Sequence, residues 1–156
     1  MSARRWGRAG GQGGFQLVEL LVIVAIIGIL TAISAPFLVS YLQASQLKGN
    51  AEVVATWLNQ GRQLAIRNNQ NVCADIDGAG MHYHLVNCAG TIWVGTGTRS
   101  TGYIPFPGGV TMSVASPAVF NYLGAATPAA TYTITHTASG RTITVTVSAT
   151  GRVSIP

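Results

Sequence analysis

A chain of 156 residues has room for one modest domain and an appendage, and at 48% hydrophobic and 8% charged residues it carries far less charge than an ordinary soluble domain. Three of the nine basic residues, Arg4, Arg5 and Arg8, fall in the first fourteen positions, which hold no acid; without them the formal charge drops from +5 to +2. A strongly basic body is thereby excluded, and with it the simplest case for a polyanionic partner.

The opening "MSARRWGRAGGQGG" reads as a basic leader, a common form of targeting signal. Residues 15–42, "FQLVELLVIVAIIGILTAISAPFLVSYL", then carry Glu19 as their only charge, and the stretch from Leu17 to Ala35 approaches the ~20 residues that a helix needs to cross a bilayer. Arginines before it and none directly after it place the N-terminus in the cytoplasm and the remainder on the exported side. Gly28 and Pro36 interrupt the run, and a bend or local melting is expected over residues 32–36 because proline removes one helical hydrogen bond. A carboxylate within lipid costs about 2.5 to 3.5 kcal/mol at mid-span, so Glu19 needs a partner unless it sits at headgroup level.

The periodicity then continues. Leu47, Ala51, Val54, Leu58, Gly61 and Ala65 form one apolar stripe, widened by Trp57 and Leu64, of an amphipathic helix over about residues 43–68. From residue 71 to 156 the two-residue period takes over. "NVCADI", "HYHLVNC", "TIWVG", residues 110–114 and 118–123, "TYTITH", "RTITVTVSA" and "RVSI" are expected strands, separated by turns such as "DGAG", "TASG" and "ATG". In "RTITVTVSA", Ile143, Val145 and Val147 face one way and Thr142, Thr144 and Thr146 the other. Residues 94–109, rich in Gly, Thr, Ser and Pro, are expected to form a mobile loop. The fold class is α+β, with a long helix packed on antiparallel sheet.

Cys73 and Cys88 both follow the apolar run. An even count in an exported segment favours a disulfide over a metal or redox pair, the alternative being two buried free thiols. Closing a loop of about 15 residues contributes roughly 3 kcal/mol.

Gly13-Gly14, then Phe15, then Glu19 four residues on, then an apolar helix with Pro36, resembles the signature of type IV pilins and type II secretion pseudopilins. The resemblance implies a leader over 1–14 cut between Gly14 and Phe15 by a prepilin peptidase, and N-methylation of the new Phe15 amine. It also implies a filament-core helix over 15–42 and a soluble domain over 43–156. The partners implied are other pilin or pseudopilin subunits, an inner-membrane assembly platform and membrane lipid. Gln16 and Val18 depart from the family's more familiar threonine and isoleucine without removing chemistry. "ATWLNQGRQLAIRNNQNVC", "FNYLGAA" and "RTITVTVSATGRVSIP" further resemble the GspH/FimT-type pseudopilin and minor pilin domain. The amine of a processed Phe15 would lie about one helical turn from Glu19, so Glu19 could meet its own amine or that of a neighbour stacked in register. Pairing between subunits would fix the stagger of a filament, and Glu19 and Pro36 are assembly residues on this reading.

Two other classes compete. An ordinary secretory signal cut before Ala35 would leave a plain secreted domain, although Glu19 and Pro36 fit it poorly. DNA-uptake pilins share the family, and Arg99, Arg141 and Arg152 in loops or at strand ends could form a basic patch; solvated arginines are the plainer reading, and Ser154 stands where DNA-binding members tend to carry a second basic residue. His82 and His84, with Asp75 and Asp77 near them, could hold zinc but lack further ligands at fixed spacing, so they are read as polar residues on an exposed strand face. His136 reads as structural. "GTGTRSTG" lacks the lysine of a phosphate-binding loop, and no catalytic constellation appears. A structural subunit with no cofactor, no metal and no enzyme activity is expected.

Overall fold

The computed structural model describes residues 17–78 and 80–156. The expected cut between Gly14 and Phe15 and the expected leader over 1–14 lie outside the described residues. The chain divides between Ser40 and Tyr41 into two compact units.

Helix α1 runs over Leu17–Asn68, with Pro36 inside it. The expected melting over residues 32–36 does not occur: every residue there is helical. The hydroxyls of this stretch turn onto their own backbone, Thr31 Oγ1 donating to Ile27 O at 2.7 Å and Ser34 Oγ to Leu30 O at 2.7 Å. In the first unit the apolar side chains of α1 lie open, from Leu17 through Val39.

Within Tyr41–Pro156, the later part of α1 buries Leu47, Ala51, Val54, Leu58, Gly61, Leu64 and Ala65, the stripe that the spacing anticipates. The helix ends where Asn69 turns left-handed at φ 50, with Gln70 N donating to Ala65 O at 3.2 Å. Eight strands follow: β1 Val72–Asp77, β2 Gly80–Leu85, β3 Ile104–Pro105, β4 Val110–Val114, β5 Ala118–Phe120, β6 Ala130–His136, β7 Thr142–Val147 and β8 Val153–Ser154.

They form two antiparallel four-stranded sheets rather than one continuous sheet, ordered β3-β2-β1-β5 and β4-β6-β7-β8. A single core draws on both sheets and the helix, including Leu58, Tyr83, Phe120, Tyr132, Ile134, Val145 and Val147. Thr131, Thr142 and Thr146 face solvent, as the alternation requires.

Three local expectations are corrected. "TIWVG" makes only one isolated bridge, Ile92 with His84, because the chain turns away through Gly95 and Thr98. Residues 118–123 are strand only to Phe120, since Asn121 begins a turn. The stretch 94–109, expected to be a mobile loop, is tied down: it contributes β3, Arg99 N donates to Tyr103 O at 2.9 Å, and Gln60 Nε2 on the helix donates to Thr96 O at 2.9 Å.

Candidate functional site

Glu19 stands in the first turn of α1, exposed, and is the only charged residue between Leu17 and Leu47. Around it the surface is hydrocarbon, with Leu20 59% and Ile23 43% exposed. Because the hydroxyls further along bond back to the helix, α1 offers lipid or other helices an apolar side with a single acid near its start. The helix is long and apolar enough to cross a membrane, with a mean hydropathy of 2.7 over its most apolar window. It continues unbroken across Ser34 and Ala35, where an ordinary secretory cut would fall.

In the second unit two buried tyrosines lock the layers together. Gly61 leaves the helix surface bare where the Tyr83 ring crosses it: a Cβ there would stand 3.1 Å from Tyr83 Cε1. The Tyr83 hydroxyl, thus placed, donates to Trp57 O at 2.7 Å, and its ring lies 6.0 Å from that of Trp93. Tyr132 on β6 reaches across to the other sheet, donating to Ala74 O on β1 at 2.7 Å and accepting from Ala118 N on β5 at 3.0 Å. Burial holds both phenols above the usual tyrosine range, Tyr83 with a smaller contribution from Tyr132; at Tyr132 the Ala118 hydrogen bond opposes the rise and the Asp75 charge adds to it.

Cys73 and Cys88 form a disulfide, with their Cα atoms 5.1 Å apart, pinning the segment after β2 to β1. The histidine pair is not on an exposed face. His82 is buried, its ring centroid 5.4 Å from that of Tyr103 and its Nδ1 3.5 Å from Asp77 Oδ2, while His84 Nδ1 lies 3.0 Å from Gly90 O. Asp75 Oδ1 accepts from Ile76 N at 2.7 Å. Among the described residues no three His, Cys, Asp or Glu side chains converge as a metal site. His136 caps a turn, its Nδ1 accepting from Ser139 N at 3.2 Å.

The three arginines considered for DNA are not brought together. Arg99 lies over Tyr103, 6.0 Å from its ring centroid. Arg141 directly precedes β7 and pairs with His136, whereas Arg152 pairs with Ser148 beyond the strand's far end. The six residues of β7, about 3.3 Å each, separate these two positions. Sequence reasoning missed Arg62. Its Nε is buried without a hydrogen-bond partner among the described residues, packed so closely by two turns that a Cβ at Gly124 or Gly151 would stand 2.9 or 3.3 Å from it.

A long helix whose stripe is covered by antiparallel strands is also the architecture of solved minor pilins. The type IV minor pilin FimU of Pseudomonas aeruginosa superposes with a TM-score of 0.54 at 17% identity, covering 74% of this chain and 92% of that one. The minor pseudopilin EpsH of the type 2 secretion system of Vibrio cholerae gives 0.52 at 16% identity, covering 70% and 95%. The model of the family "Type II transport protein GspH" matches residues 50–151.

The chain belongs to the GspH family.

Fimbrial protein EcpC of Eikenella corrodens is 34% identical over 100 residues, 58% of this chain; the match spans 65% of the length of that relative. The GspH-family match runs from the last third of α1 to the turn before β8. It therefore includes Arg62, both locking tyrosines, the disulfide and the glycine turns, but not Glu19. Family membership and the apolar N-terminal helix fit a membrane-anchored subunit of a filament.

Proposed function

We propose that this chain is a minor pseudopilin or minor pilin, a structural subunit without enzyme activity that is built into a type II secretion or type IV pilus filament. One observation carries the reading: a member of the GspH family holds a lone acid near the start of a long helix whose first part, from Leu17 through Val39, is otherwise uncharged, apolar and exposed. A prepilin peptidase cuts between Gly14 and Phe15, and the Phe15 amine is methylated. The subunit waits in the inner membrane with its N-terminus in the cytoplasm and its strand-rich unit in the periplasm, where the disulfide is stable.

On extraction by the assembly platform, α1 exchanges lipid for the helices of neighbouring subunits, a transfer between two apolar surroundings in which shape decides the packing. Glu19 then meets a Phe15 amine, its own or that of the adjoining subunit. A charge that is costly alone in lipid is compensated only when a processed end is within reach.

Intact-mass analysis of the chain purified from its own membranes tests the processing step. The expected mass lacks residues 1–14 and gains one methyl, and Gly14→Ala should keep the leader in place. A mature chain starting at Ala35 would instead establish an ordinary secretory signal.

A further inference from the structure

The turn after β5 carries a surface that neither the helix anchor nor the core requires. Tyr122 and Leu123, 52% and 72% exposed, stand side by side at its tip, and Ile66 of α1, 46% exposed, is so close beneath that a Cβ on Gly124 would come within 2.9 Å of its Cδ1. The tip is stiff. Asn121 Oδ1 accepts from both Leu123 N and Ala125 N at 3.0 Å, Gly124 N donates to Asn121 O at 2.8 Å, and Ala126 N ties the base to Ala149 O at 3.0 Å. Two large apolar side chains are thus held in water on a preorganised support, an arrangement that lowers the entropy cost of binding.

Positive charge flanks them. Arg62 is clamped between Gly124 and Gly151, and Arg152 follows Gly151 directly. Among the described residues nothing hydrogen-bonds the buried Arg62 Nε. Such a group is normally satisfied in a finished structure. Tyr and Arg around an apolar centre are also the residue types that dominate binding hot spots.

We infer that the Tyr122–Leu123 tip, with Arg62 and Arg152 beside it, docks into an apolar recess rimmed by carboxylates on a different subunit of the same filament. The inference rests on the filament role proposed above. A second copy of this chain is a poor occupant: its strand-rich unit carries three acids against six basic residues, with Asp77 beside His82 and Asp75 turned to its own backbone. Glu52, the third acid, is exposed on α1, but a unit with twice as many bases as acids supplies the complementary charge less well than an acidic surface on another chain does.

The test places a photoreactive benzophenone amino acid at position 123 of the full chain, in cells of the native host, and identifies the cross-linked peptide by mass spectrometry. A peptide of another pilin-type subunit containing Asp or Glu is expected. Arg152→Glu should cut the yield at least about tenfold, and reversing the charge of the captured carboxylate should restore it. Cross-links at 123 to a second copy, to nucleic acid or to nothing overturn the inference if the same group at position 26 on α1 still captures subunits. If position 26 also captures none, the filament role itself fails, and this inference with it.

Discussion

The hydroxyl of Tyr132 donates to the carbonyl of Ala74 at 2.7 Å, a contact between residues 58 apart in sequence that joins β6 of one sheet to β1 of the other. Because the same oxygen accepts from Ala118 N, one buried atom on β6 satisfies groups on two strands of the other sheet, β1 and β5. Tyr132→Phe keeps the ring and removes this bridge, leaving a buried amide and a buried carbonyl short of a partner. A loss of about 1–3 kcal/mol is expected in urea unfolding of the full chain in mild detergent, followed by tryptophan fluorescence.

The same burial makes stability fall in alkali. Burial raises the folded-state pKa of both Tyr83 and Tyr132 above the ordinary tyrosine value of 10.0. The neutral phenols therefore contribute fully below about pH 10, and the contribution declines as pH rises from there through the raised values, because only the unfolded chain has then lost its protons. Unfolding midpoints should be insensitive to these groups between pH 6 and 9 and drop above pH 10. The double variant Tyr83→Phe/Tyr132→Phe, less stable at neutral pH, should show a shallower alkaline decline.

Gly61 is where α1 and Tyr83 meet. Glycine is about 1 kcal/mol worse than alanine inside a helix, yet a Cβ here would stand 3.1 Å from the ring, with Phe120 at 3.8 Å behind it. Gly61→Leu should therefore destabilise by about 1–3 kcal/mol through overpacking, despite leucine's better helix propensity. Gly49, with no atom within 4 Å of its would-be Cβ, should tolerate the same change and gain stability, measured by the same unfolding assay.

The disulfide closes a 15-residue separation. Cys73→Ala/Cys88→Ala should cost about 3 kcal/mol by the loop-closure argument, read as a lower urea midpoint. Under reducing conditions the unchanged chain should fall to nearly the same midpoint.

The long apolar run and the helix stripe were legible in the sequence because both are local: sustained apolarity marks the first and the 3.6-residue period the second. β6 and β7 were legible for the same reason, their alternating Thr with Tyr132, Ile134, Val145 and Val147 stating the period outright. The division into two sheets was not, since it depends on Ala118–Phe120 pairing back to Val72–Ala74 across a long intervening stretch. Nor was the fate of "TIWVG", whose Trp93 is drawn toward the Tyr83 ring instead of extending a ladder. Arg62 gave no signal in its own neighbourhood. Its role comes from Gly124 and Gly151, two turns that only the folded chain brings to the helix.

The central claim is that Glu19 is an assembly residue, and Glu19→Val tests it most directly. Valine should leave the chain in the membrane fraction with a normally processed N-terminus, because insertion needs only the apolar run. Purified filaments, or cross-linking between α1 helices where filaments are short, should then contain none of the variant. Incorporation of Glu19→Val at the level of the unchanged chain would contradict the account.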